Sequence, residues 1–231
     1  MSDVFAVPLP QGAPSTGRNW IKANVIAALI AGAGSLAAFV VDHALGVGNA
    51  GVLARIVIVL AYVLGSVAGL AAYAVLAGRV LREKLLAFPM RIWIVLHVAA
   101  GLLIGIAAGY SELPSPTDSQ ELTEQLALHD VMINIIGGSL VGGIVGLAVG
   151  SFQALIMRRR VRGLGAWIGF SGIAGLLSMA VLLTVEMLVI TASAPTPPGV
   201  TGAILMLIAF FFAAIITAIV MLPAVARLTP R

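Results

Sequence analysis

From Val131 to Met157 the chain carries no charged side chain, and it then runs into Arg158, Arg159, Arg160 and Arg162. An apolar run of that length, closed by a block of arginines, has few ways to fold. A helix of about 20 residues crosses the hydrocarbon core of a bilayer. Backbone polar groups find no water there, so a spanning segment is a helix or part of a closed barrel. The run is continuous rather than alternating, which selects the helix. Small residues recur at every fourth position, Gly138, Gly142, Gly146 and Gly150 after Asn134, and that spacing places them on one face. The stretch Asp130–Arg162 therefore predicts a transmembrane helix with a close-packing face and a basic stop.

Five more apolar runs accompany it. With 61% hydrophobic residues, 10% charged residues and a mean hydropathy of +1.12, the chain departs from soluble domains, which carry about 25% charged residues. The fold class expected is all-α, an integral membrane bundle of six transmembrane helices. The spans are predicted near residues 20–42, 52–78, 90–110, 131–157, 166–192 and 200–222, the last ending at Pro223. Residues 1–17, rich in Pro, Gly and Ser, read as a disordered tail, leaving 18–226 as the transmembrane domain. The chain has no cysteine, which removes disulfides and thiolate metal sites.

Charge sets the orientation. Six spans divide the connecting segments into two groups, and one group holds twelve of the thirteen basic residues, Arg55 alone falling in the other. The positive-inside rule then places both termini in the cytoplasm. The net charge of +4 and pI near 10.1 do not indicate nucleic acid, because the basic residues sit at span ends facing the membrane surface. Trp20, Trp93 and Trp167 all fall near the cytoplasmic interface and read as members of an aromatic belt.

The longest outer loop is 111–130. Pro114 and Pro116 end the preceding helix; Thr117 and Asp118 stand at capping-box spacing from Gln120 and Glu121. Leu122, Leu126 and His129 follow at helical spacing, so a short amphipathic helix is expected, either a solvated connector or a lid. A parallel repeat of 52–110 with 131–192 is suggested by Gly65, Gly69, Leu70 and Ala71 against Gly142, Gly146, Leu147 and Ala148, and by Trp93 and Ala100–Leu103 against Trp167 and Ala174–Leu177. Small residues allow close helix approach in lipid. Gly101, Gly105 and Gly109 form one such row and Gly138, Gly142, Gly146 and Gly150 another, a glycine zipper. They serve a compact bundle or a homodimer seam; the alternative is a face lining a channel or admitting a flat ligand.

Ionisable groups within a span cost about 2.5–3.5 kcal/mol each at a helix centre. Glu186 lies in the fifth span, roughly two turns from its outer end. Asn134 lies about one turn below the outer surface, and Asp42, Arg55, Tyr110, His129 and Asp130 lie at outer ends of spans; together with Glu186 they form a candidate outer-half polar pocket. The alternative is that the end residues are hydrated at the interface. Arg55 is the natural ionic partner of Glu186 or Asp42. His97, about two turns into the third span from the cytoplasmic side, either bonds another helix or ligates a haem or chlorophyll metal. No zinc-binding helix motif, nucleophile elbow, P-loop or dinucleotide fingerprint occurs. An acid/base pair for a membrane enzyme would have to be Glu186 with His129 or Asp130.

The segment Gly146–Trp167 reads G-L-A-V-G-S-F-Q-A-L-I-M-R-R-R-V-R-G-L-G-A-W. It resembles a group of uncharacterised bacterial multi-spanning proteins with G-x-x-x-G-x-x-Q, four mostly apolar residues, an arginine run, and G-x-G-x-W opening the next span. The matching positions are Gly146, Gly150, Gln153, Arg158, Arg159, Gly163, Gly165 and Trp167; Ala154 departs from the tryptophan frequent in the group. The resemblance covers under a tenth of the chain and implies a bacterial inner-membrane protein without an assigned activity. It singles out Gln153, which physically suits a hydrogen bond to a neighbouring helix at the cytoplasmic end.

The function expected is non-enzymatic binding or transport of a small or lipid-like molecule through the outer-half pocket. The alternative is a structural or assembly subunit of a larger membrane complex, and a membrane enzyme is third. Partners expected are the lipid bilayer and a second copy or a membrane-complex subunit. No cofactor is evident.

Overall fold

The computed structural model describes residues 13–45, 52–85, 88–111, 128–193 and 200–230. The described chain is helical almost throughout: α1 (Ala13–Leu45), α2 (Val52–Lys84), α3 (Met90–Ser111), α4 (Leu128–Met157), α5 (Leu164–Ser193) and α6 (Val200–Arg227). A two-residue pairing joins β1 (Val161–Arg162) to β2 (Thr229–Pro230). Among the described residues, α2 to α6 are each long and apolar enough to cross a membrane, as a multi-pass membrane protein requires.

Several helix ends differ from those predicted. Helix α1 begins at Ala13, so residues 13–17 are helix rather than tail. Pro14 is tolerated there because the first N–H groups of a helix lack an intrahelical acceptor. Helix α2 runs past Arg79 to Lys84, beyond the apolar stretch. Its last turns are amphipathic, with Val80, Leu81 and the following Leu85 buried while Arg79, Arg82 and Glu83 are exposed. Helix α4 starts at Leu128, taking residues 128–130 out of the expected outer loop. Pro223 does not end α6, which continues to Arg227. The last carbonyls of a helix have no intrahelical donor; Lys84 Nζ donates to two of them in α6, those of Val225 and, at 2.7 Å, of Ala226.

The helices follow one another round a ring in chain order. Helix α1 packs on α2, α2 on α3, α4 on α5, α5 on α6, and α6 returns to α1. The remaining junction, α3 with α4, is sparse. Backbone contact at glycines sets several of the close junctions. A Cβ at Gly65 would lie 2.9 Å from the Gly34 Cα. One at Gly105 would lie 2.5 Å from the Val63 Cα, and one at Gly142 would lie 2.8 Å from the Gly175 carbonyl oxygen. Gly138, Gly142, Gly146 and Gly150 all turn toward α5, meeting Leu183, Met179 and Ser171. Between α5 and α6, Ser178 and Thr217 hydroxyls share a 2.7 Å hydrogen bond.

One end of the bundle carries the described basic residues other than Arg55, and most of the core. Trp20, Ala77, Leu81, Leu85, Trp93, Met157, Trp167, Val225 and Leu228 are buried together there. The β1–β2 pairing, with Val161 opposite Pro230 and Arg162 opposite Thr229, ties the α4–α5 turn to the segment after α6. Gly163 makes this possible with φ of +84°, a conformation that costs an L-residue about 1–2 kcal/mol.

Candidate functional site

Each odd-numbered helix enters the basic end with the same local pattern. The sequence is Trp20-Ile21-x-x-Asn24 in α1, Trp93-Ile94-x-x-His97 in α3 and Trp167-Ile168-x-x-Ser171 in α5. In every case the polar side chain bonds back to the tryptophan carbonyl four residues earlier. Asn24 Nδ2 donates at 2.9 Å, His97 Nδ1 at 2.7 Å and Ser171 Oγ at 2.8 Å. The three indoles meet inside the ring, Trp20 and Trp93 each standing edge-on to Trp167 at 5.9 Å and 6.3 Å between ring centroids. Tyr73 of α2 fills the space between Trp20, at 6.3 Å, and Trp93, at 6.4 Å, and its ring lies 5.3 Å from that of His97.

Gln153 of α4 completes a chain of hydrogen bonds across three helices, and donor–acceptor logic fixes each proton in it. An indole N–H can only donate, so Trp167 Nε1, 3.0 Å away, makes Gln153 Oε1 an acceptor. The amide is thereby oriented, and its Nε2 donates to His97 Nε2 at 3.0 Å. That imidazole nitrogen must hold a lone pair. The ring proton then sits on Nδ1, where it is donated to the Trp93 carbonyl. His97 and Gln153 are both buried, and a buried polar group left unpaired would cost about 1–3 kcal/mol. Their bond supplies a polar join at the sparse α3–α4 junction.

Among the described residues, the buried indole nitrogens of Trp20 and Trp93 have no hydrogen-bond partner. Where α4 offers the Gln153 amide to Trp167, α2 presents the Tyr73 ring to Trp20 and Trp93, and on α6 the Met221 sulfur receives Ser171 Oγ at 3.7 Å.

The three tryptophans do not form the lipid-facing belt expected from sequence. They lie at a common depth but point inward and are fully buried, because the small residues and polar partners of their helices turn that face to the ring. His97 and Gln153, read separately from the sequence, are brought together. With both ring nitrogens of His97 engaged, neither is free for a haem or chlorophyll metal in this arrangement. Glu186 is exposed on α5 and Arg55 is exposed on α2; no ion pair joins them. Asn134 is exposed on α4. The side chains of Asp42, Tyr110, His129 and Asp130 lie outside the described residues, as do Gly109 beyond its place in α3 and the loop helix expected within 111–130. Gly101 packs against the α2 backbone at Ser66 and Val67. No group of three or more potential metal ligands occurs among the described residues.

The recurring W-I-x-x-polar pattern was visible in the sequence and would have marked the three inward faces. Nothing in the sequence signalled the pairing of His97 with Gln153. The fold and site together define a multi-pass helical membrane protein whose ring is fastened at one end by a buried amide–imidazole bridge. No family model, curated protein or solved structure matches the chain.

Proposed function

We propose that the chain is a bacterial inner-membrane protein of six spans, with both termini cytoplasmic, that binds or moves a lipid-like molecule. The molecule enters sideways from the bilayer between α3 and α4. The observation that carries this reading is the seam itself: adjacent helices of a ring meet sparsely, and the polar join between them lies at the basic end. Ile104, on the His97 face of α3, is 54% exposed, and Val149, one turn from Gln153 on α4, is 48% exposed. Both are exposed apolar positions farther from the basic end than the His97–Gln153 join. Glu186 and Asn134, exposed on α5 and α4, are the polar groups available to a headgroup. The basic residues gathered at one end support the orientation.

Native mass spectrometry of the protein released from its own membranes tests this. A discrete lipid-sized mass on each chain, reduced in Glu186→Gln, is expected. A bare chain, or an adduct unchanged by that substitution, overturns the reading. A second reading, an assembly subunit, is favoured by the broad exposed apolar face of α4, which includes Ile136, Leu140 and Ile144. A fixed-ratio complex with other chains in the same measurement would select it.

A further inference from the structure

We propose that His97 is a proton-binding latch: taking up one proton at Nε2 releases α3 from α4 and opens the seam between them. The argument rests on which groups can donate. Trp167 Nε1 holds Gln153 Oε1 as an acceptor, so Gln153 turns its NH2 toward His97. The His97 lone pair at Nε2 is what this NH2 binds, while Nδ1–H is already committed to the Trp93 carbonyl. An imidazolium carries N–H on both nitrogens. A proton added at Nε2 therefore sets two donors face to face at the join. Reversing the amide would restore an acceptor for His97 but would aim NH2 at the Trp167 N–H, which has no lone pair to give. One proton thus breaks a bond on one side of Gln153 or the other.

The surroundings offer no substitute. From α2 the group facing His97 is the Tyr73 ring, on its own helix the Trp93 ring, from α4 Gln153 and, through Gln153, Trp167 of α5. The described buried polar side chains are Asn24, His97, Ser139 and Gln153, with no carboxylate among them. Among the described residues an imidazolium here has no counter-ion, and it gains hydration only if the helices part. The neighbouring junctions do not share this weakness. Helix α3 is held to α2 through Gly101 and Gly105, and α4 to α5 through its glycine row. The device acts on the seam invoked for the proposed function and rests on that reading only for what the opening admits; the opening itself requires no ligand.

The chain has no cysteine, so Ile104→Cys and Val149→Cys carry two spin labels on a clean background. The labelled protein in phospholipid nanodiscs, without added ligand, is measured by double electron–electron resonance at about pH 8 and about pH 5, the interval over which imidazole changes charge. The expected result is a shift to longer distances in acid. His97→Gln, which keeps an acceptor but takes up no proton, is expected to hold the short distance at both pH values. Gln153→Glu, whose carboxylate accepts from Trp167 and from an imidazolium, is expected to lose the acid shift. A native distance that does not change with pH overturns the proposal, as does an acid shift that survives in either variant. Absence of a bound lipid would defeat the functional reading and leave this measurement standing.

Discussion

His97 Nε2 and Gln153 Nε2 stand 3.0 Å apart, and this nitrogen-to-nitrogen contact links two helices that otherwise scarcely meet. Its strength depends on a third residue, because Trp167 orients the amide. The expected consequence is non-additivity. Gln153→Met keeps the side-chain length but leaves the Trp167 N–H and the His97 lone pair unpaired, at about 1–3 kcal/mol for each. A double-mutant cycle of Gln153→Met with His97→Phe, followed by unfolding in mixed detergent, should return a coupling of about 1 kcal/mol, within the range of buried polar contacts in membrane proteins. Additive losses would mean that the contact contributes nothing to stability.

The glycines divide into two groups with opposite expected behaviour. At Gly105 a methyl group would meet the Val63 Cα at 2.5 Å and the Tyr62 carbonyl oxygen at 2.9 Å. Both are backbone atoms, so α2 and α3 must separate to admit it. Gly105→Ala should therefore destabilise the protein by an amount typical of overpacking, about 1–3 kcal/mol. At Gly137 nothing lies within 4 Å of the added carbon. Gly137→Ala should be neutral or raise stability by up to about 1 kcal/mol through helix propensity. Thermal unfolding of the two variants side by side checks the sign of each effect.

Much of the bundle was legible because lipid leaves a spanning segment little choice. Apolar length located α2 to α6, and the arginine clusters marked one shared end. Helix ends were less legible. Arg79 looks like a stop, yet α2 continues because Val80, Leu81 and Leu85 still find core to bury against. Pro223 looks like a stop as well, yet the carbonyls at the end of α6 are met by Lys84, far away in sequence. Trp20, Trp93 and Trp167 gather at the basic end, but they are buried in the core rather than arranged as a belt. Hydropathy is nearly uniform around such helices, so the inward face is set by neighbours rather than by pattern. His97 and Gln153 are 56 positions apart, and no local rule links them.

Lys84 gives a further expectation. Its ammonium group binds the carbonyls of Val225 and Ala226 in the last turn of a helix already weakened by Pro223. Lys84→Met keeps the apolar stem and removes the donor. The end of α6 and the β1–β2 pairing beside it should fray, and hydrogen exchange over residues 220–230 should accelerate while that over the middle of α5 does not change. Uniform exchange in variant and native protein would show that the two carbonyls are satisfied without Lys84.

The tryptophans offer a comparison in which ring loss is held nearly constant. Trp20, Trp93 and Trp167 are all fully buried, so replacement by Phe removes similar apolar area and leaves a similar void at each. Their N–H groups differ. Those of Trp20 and Trp93 have no partner among the described residues, whereas that of Trp167 holds the Gln153 carbonyl. Trp20→Phe and Trp93→Phe thus also remove an unsatisfied donor, which offsets part of the packing loss. Trp167→Phe does the reverse: it orphans Gln153 Oε1 and frees the amide to turn away from His97. The loss of stability for Trp167→Phe should exceed those of the other two by about 1–3 kcal/mol. Unfolding monitored by the two remaining indoles in each variant would measure the order directly. Equal losses in all three would show that ring volume alone governs this cluster, and that the amide is held in place without the Trp167 N–H.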